Sequence, residues 1–249
     1  MSDAKHFFSR DYKYSEEDLG NSIQSWLSYQ IALNRNYGLA ESSINAPFGE
    51  YLAQYVSELE MEKELKYFGS RWTDAFFKLR DFADDLYYFE FKYTKNGSTR
   101  NQPEKQRVFN DLMRLNSIDD NKSHKYFIMA GKSEEFMTDF EQLIPGQAVA
   151  KNKLPPTNKS PIIAYNSVYN KMFSFDVNKP NTTINVTDPE ISNLIIGFDQ
   201  KYVNDYRNNS VPYTQFSQDI SKITTKLVFL SCMGTSARVG IWEITKTQP

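Results

Sequence analysis

Glu90 and Lys92 stand two residues apart in the run 86–93 (LYYFEFKY). On a strand that spacing projects both side chains from one face, while Phe89, Phe91 and Tyr93 point to the other. A carboxylate beside an amine can hold a cation, orient water or stabilise an anion. It is also what a half-buried strand with one polar face and a cross-strand ion pair looks like, the ordinary meaning of a lone Glu-x-Lys. Asp74 strengthens the chemical reading. It lies sixteen residues before Glu90, near the start of the preceding strand-like run, so a hairpin between them brings the two carboxylates together. Such a pair repels itself when ionised unless a cation sits between, and hard oxygen donors suit Mg²⁺ or Mn²⁺. Asp81 competes for the Asp74 role. Asp84 and Asp85 fall too close to Glu90 for a separate strand and read as turn residues.

The elements that would position these groups follow from periodicity. Residues 15–34 begin with Ser-x-x-Asp and continue with Leu19, Ile23, Trp26, Leu27 and Ile31 at helical spacing, the pattern of a capped amphipathic helix. A second helix is expected over 47–63, with Pro47 in its first turn and Phe48, Tyr51, Leu52, Tyr55, Val56 and Leu59 on one face. Aromatic-rich strands are expected at 72–80 and 86–93, forming an antiparallel hairpin, with a further short strand near 65–68. Pro103 opens a helix whose Val108, Phe109, Leu112 and Leu115 form a stripe; a strand at 126–130 and a helix at 133–143 follow. Beyond Pro145 come a Pro- and Asn-rich loop, short strands at 162–165, 172–177 and 182–186, a helix from Pro189 to about Arg207 capped by Asp188, and closing strands at 226–231 and 238–244.

This order, with Arg71-Trp-Thr-Asp74 as a first half-motif and Glu90-Phe91-Lys92 as a second, resembles the PD-(D/E)xK nuclease superfamily, whose core is a helix, a strand hairpin, a helix and a strand. Thr73 stands where that motif carries proline. Residues 106–131, with Asp111-x-x-Arg114-Leu115, are similar to the helix and strand that follow Glu-x-Lys in many bacterial members, so the resemblance spans about 47–131. It implies an α/β, restriction endonuclease-like core: a mixed sheet flanked by helices, with an N-terminal helix and a C-terminal α/β elaboration. It also implies that Asp74 and Glu90 bind Mg²⁺ (or Mn²⁺), that the backbone carbonyl of Phe91 is a further ligand, and that Lys92 positions or deprotonates the attacking water. Glu50 matches the acidic residue often carried on the first core helix, although Glu58 and Glu62 share that helix. The implied activity is hydrolysis of DNA phosphodiester bonds in restriction, anti-phage defence or repair, with DNA as partner and a homodimer where both strands are cut. A nuclease fold kept as a catalytically inactive binding or scaffold protein is the other reading.

Some residues invite two readings. Arg114 can reach a phosphate or pair with Asp111 at i,i+3, and the ion pair is the simpler outcome. Lys95 and Arg100 can form a local basic patch or a solvated loop. Trp26, Trp72 and Trp242 sit in apolar patterns and read as core anchors. His124 should cap or flank the strand at Tyr126. Cys232, between Leu230 and Met233, reads as a buried small hydrophobe.

Composition bounds the rest. With 249 residues, 15% aromatic and 24% charged, the chain can bury a sizeable core. A net charge of -2 advertises no general polyanion-binding surface. One cysteine and two histidines exclude an internal disulfide, a thiolate zinc cluster and an imidazole-rich site. The start lacks a signal-like apolar segment and no run reaches membrane-span length, so a cytoplasmic protein with no membrane partner is expected. The chain reads as one α/β domain over 1–249, with a nuclease-like core at about 44–144, an insertion or accessory region at 145–225, and strands in 226–245 placed to complete the sheet.

Overall fold

The computed structural model describes residues 15–53, 66–68, 71–72, 75–78, 86–95, 99, 101–117, 123–142, 168–185, 187–197 and 222–246. Helix α1 (Glu16–Ala32) starts where Ser15 accepts a hydrogen bond from the Asp18 amide, and Glu16, Glu17 and Asp18 set negative charge at its positive end. It stops at Leu33, after which Asn34 takes a left-handed conformation, φ 55°. Short 3-10 turns (Asn36–Gly38 and Glu41–Ile44) lead into α2 (Asn45–Ala53). The remainder of the helix expected to reach 63 lies outside the described residues.

The aromatic run expected as one strand over 72–80 is divided. Strand β1 (Lys66–Phe68) pairs with β2 (Arg71–Trp72) in a separate ribbon, and β3 (Ala75–Lys78) pairs antiparallel with β4 (Leu86–Thr94). Helix α3 (Gln102–Ser117) then crosses over to β5 (Ser123–Lys132), which runs parallel to β4. A parallel neighbour requires such a crossover, and α3 supplies it. Chain order β3–β4–α3–β5 matches the expected hairpin, helix and strand.

After β5 the chain forms α4 (Ser133–Glu135, widening into a π-helical turn over Phe136–Phe140), α5 (Val168–Met172), β6 (Asn181–Asn185), α6 (189–197), β7 (Lys222–Leu230) and β8 (Ala237–Lys246). Among the described residues, these strands make one mixed sheet in the order β3-β4-β5-β8-β7-β6. Strands from the C-terminal part therefore extend the sheet that holds the Glu-x-Lys strand: β8 pairs with β5 from Tyr126↔Glu243 to Lys132↔Ala237. Within the stretch expected to be accessory, β6 and α6 join the same sheet and core.

The sheet is covered on both faces. On one lie α1, α2 and the turn before α2, packing Leu19, Ile23, Leu27, Ile44, Phe48 and Leu52 on Phe89, Phe91, Ile128 and Ile241. On the other, α3 to α6 pack Phe109, Leu112, Phe140, Tyr169 and Leu194 on Phe127, Met129, Ile223 and Trp242. Each buried Leu or Phe contributes roughly 1.5–3 kcal/mol. Alternation along β5 sorts its residues between the faces: Tyr126, Ile128 and Ala130 on the first, Phe127 and Met129 on the second. Helix α1 approaches β7 so closely that a Cβ on Gly20 would lie 2.2 Å from the Phe229 ring.

Three expectations are corrected. Residues 172–177 form no strand, because Met172 ends α5 and the following carbonyls are taken by side chains: Thr225 Oγ1 donates to Met172 O (2.6 Å) and Trp242 Nε1 to Ser174 O (2.8 Å), while Phe173 is buried in the core. Cys232 is exposed, since it falls in the turn between β7 and β8. The helix after β5 is shorter than 133–143 in its described part, and the Ser133 hydroxyl donates to Thr235 O. Asp188 does stand at the start of α6, accepting from the Glu190 amide at 3.1 Å.

Candidate functional site

On β4 the odd residues Phe89 and Phe91 face α2, where Phe48 meets their rings edge-on at 4.8 and 4.9 Å between centroids. Pleating therefore turns Glu90 toward α3. There Glu90, 1% exposed, accepts from Arg114 through both oxygens: Nε to Oε1 at 3.2 Å and Nη2 to Oε2 at 3.0 Å. A carboxylate this buried needs such a partner, and a planar guanidinium supplies two bonds at once.

Arg114 is shared. Its Nη2 also lies 2.6 Å from Oδ1 of Asp111, the i,i+3 pair anticipated on α3. The other Asp111 oxygen sits 3.1 Å from Lys92 Nζ, which in turn donates to Glu41 Oε2 at 2.8 Å. The result is a ladder of alternating charge, Glu41, Lys92, Asp111, Arg114, Glu90, that ties β4 to α3 and to the turn before α2. Among these five groups, three carboxylates face two cations. Nearby, burial in the first instance, then Glu104 and Asp111, push the Tyr169 phenol far above its ordinary range, so it stays a neutral hydroxyl.

The sequence-selected residues divide accordingly. Glu90 and Lys92 come together on one face of β4. Phe91 points its ring into the opposite core; its backbone belongs to the β4–β5 pairing opposite Ile128. Glu50 is exposed on α2, the helix covering the other face of the strand, and is not brought to Glu90. Asp74 lies outside the described residues, as do Asp81, Glu58, Glu62 and Arg100; β3 begins at Ala75, which pairs with Phe89. Glu41 carries no signal that could have found it, because it meets Lys92 from 51 positions away in a turn without periodicity. His124 lies within β5 and stacks on Tyr87 at 4.6 Å. Trp242 is a core anchor, fully buried.

Among the described residues no group of three or more His, Cys, Asp or Glu is placed to hold a metal ion. Two carboxylates do converge, with Arg114 Nη2 3.0 Å from one and 2.6 Å from the other. Their hard oxygen chemistry fits a small divalent cation, which keeps several waters and needs only one or two protein carboxylates. Any such ion must compete with the guanidinium.

No helix among the described residues is long and apolar enough to cross a membrane. In comparison with protein-family models, curated proteins and solved structures, the chain finds no match.

Proposed function

We propose that the protein is a metal-dependent nuclease of the PD-(D/E)xK type that hydrolyses DNA phosphodiester bonds. The observation that carries this reading is the placement of Glu90 and Lys92 side by side on the α3 face of β4, against the Asp111–Arg114 pair. The order of hairpin, crossover helix and parallel strand supports it. Glu90, with Asp74 and the Phe91 carbonyl, would hold Mg²⁺ or Mn²⁺, and the bound cation would supply a water of lowered pKa and neutralise charge on the phosphate. Lys92, steadied by Glu41 and Asp111, keeps its ammonium beside the reacting phosphate and stabilises the anion formed there. Glu50, on the other side of the sheet, is left out of this set.

The test is nicking of supercoiled plasmid in Mn²⁺, comparing the wild-type protein with Glu90→Ala and Lys92→Ala. Each substitution should lower the rate on the order of 100-fold or more. Equal cutting by all three proteins overturns the assignment.

One observation favours a second reading, a binding or scaffold protein without catalysis: both Glu90 oxygens are already engaged by Arg114. Wild-type protein that binds DNA yet cuts none in Mn²⁺ would establish it.

A further inference from the structure

Beyond the ladder, a second feature lies at the carboxyl ends of the parallel strands β4 and β5, on the opposite face of the sheet. Alternation places Tyr93 and Lys95 with Phe91, and Lys132 with Ala130, on the α1/α2 side. There a cleft of about 170 Å³ is lined by these three with Asn36, Tyr37 and Glu135. In open α/β sheets, ligands settle outside the carboxyl ends of parallel strands.

The chemistry of the lining selects its occupant. The Tyr93 hydroxyl is buried and has no hydrogen-bond partner among the described residues, so it offers an unused donor. Burial first, then the charge of Glu135, raise Tyr93 to a pKa of about 12, which keeps the proton in place. Lys95 donates to the backbone carbonyl of Tyr37 at 3.3 Å, and Lys132 stands 3.8 Å from Glu135, so two ammonium groups face one carboxylate. Donors, and a lining with more cationic than acidic side chains, call for an anion rich in acceptors. At the rim, the Tyr37 ring is 81% exposed, an aromatic surface left in water.

Size completes the argument. Ligand pockets that enclose a drug-sized molecule run to roughly 300 Å³ or more, so this one takes a phosphate and part of a sugar while the base remains outside, against Tyr37. Stacking on an aromatic ring beside a positive groove is how single strands are bound without reading their sequence. We propose that this cleft binds one nucleotide unit of a single-stranded nucleic acid, its phosphate held by Lys95, Lys132 and the Tyr93 hydroxyl and its base stacked on Tyr37. The proposal deepens the nucleic-acid reading above, yet stands apart from its chemistry.

The experiment is fluorescence anisotropy of a labelled ten-residue oligothymidylate in EDTA, so that no cutting intervenes, with Tyr37→Ala and Lys132→Gln variants whose melting curves match the wild type. Tyr37→Ala leaves the backbone carbonyl that Lys95 uses and is expected to weaken binding by about tenfold or more. Lys132→Gln should reduce the slope of log affinity against log salt by about 0.7, one phosphate contact on a single strand. Unchanged affinity in both variants overturns the proposal, as does displacement of the oligonucleotide by an equimolar amount of an acidic peptide. Tyr37-dependent binding without Mn²⁺-dependent cutting would end the nuclease reading alone; cutting with Tyr37-independent binding would end this one alone.

Discussion

Replacing Arg114 by Met removes the guanidinium that bridges Glu90 and Asp111 and leaves a hydrophobic side chain of similar reach. Glu90 is 1% exposed and takes two bonds from Arg114, at 3.2 and 3.0 Å. Unit charges about 4 Å apart attract by about 4 kcal/mol at an effective dielectric of about 20, and breaking a buried pair from one side costs about 3–5 kcal/mol because the remaining charge is left uncompensated. Asp111 keeps Lys92 at 3.1 Å, while Glu90 loses both of its contacts with Arg114. Urea unfolding followed by circular dichroism should therefore show Arg114→Met destabilised by about 3–5 kcal/mol. The double variant Glu90→Leu with Arg114→Met should cost less than the sum of the singles, with a coupling of about 2–3 kcal/mol. A single-variant cost below about 1 kcal/mol, or simple additivity, refutes the picture of a coupled buried ladder.

The same substitution tests competition with a metal. A cation that binds only the folded chain stabilises it by about 2.7 kcal/mol at a hundred times its dissociation constant. In wild type, part of that free energy must displace Arg114 from Glu90; in Arg114→Met it need not. Mn²⁺ should raise the melting temperature of the variant more than that of the wild type, and equal shifts would show that the ion does not use these carboxylates.

Two further perturbations test the packing and the charge of the sheet. Gly20→Ala adds a Cβ 2.2 Å from the Phe229 ring; despite a helix-propensity gain of about 1 kcal/mol, overpacking of about 1–3 kcal/mol should lower the melting temperature, and the loss should vanish in a Phe229→Leu background. The Glu243 carboxyl on β8 is held below its usual 4.5 by His124 of β5 first and then by Lys226, with Nζ 3.9 Å away, while burial opposes them. A depressed acid stabilises the fold above its unfolded pKa and loses that contribution as pH falls through its folded one, so urea midpoints of the wild type should drop below about pH 4.5 more steeply than those of Glu243→Gln, and parallel profiles would contradict the assignment.

Much of the fold was legible because each element carries its own local signal. Ser15 and the Leu19, Ile23 and Leu27 spacing mark α1, the alternation from Leu86 to Tyr93 marks β4, and Val108, Phe109 and Leu112 mark α3. What failed are places where long-range partners override local pattern. The run at 172–177 has the composition of a strand, but side chains of Thr225 and Trp242, about 50 and 70 positions later, take its carbonyls and fix it as an irregular core segment. Residues 72–80 likewise read as one aromatic strand, yet Trp72 pairs back to Lys66 and Ala75 forward to Phe89, so the run serves two sheets.

The site shows the same division in terms of charge. Period-two alternation is enough to place Glu90 beside Lys92, and i,i+3 spacing is enough to join Asp111 to Arg114. Neither says that the strand pair and the helix pair meet, because that depends on the crossover by which α3 lies over β4. Once they meet, five charges within bonding distance must alternate in sign, since a buried carboxylate next to another without a cation is unstable. Glu41 is consistent with that alternation without being required by it: Lys92 already faces Asp111, and the second acid lies at the more exposed end of the ladder, at 2.8 Å. The ladder's order thus gives its two ends different tasks. Glu41, with 41% of its side chain exposed, can exchange Lys92 for water at little cost, whereas Glu90, 1% exposed, loses two charged contacts when Arg114 leaves.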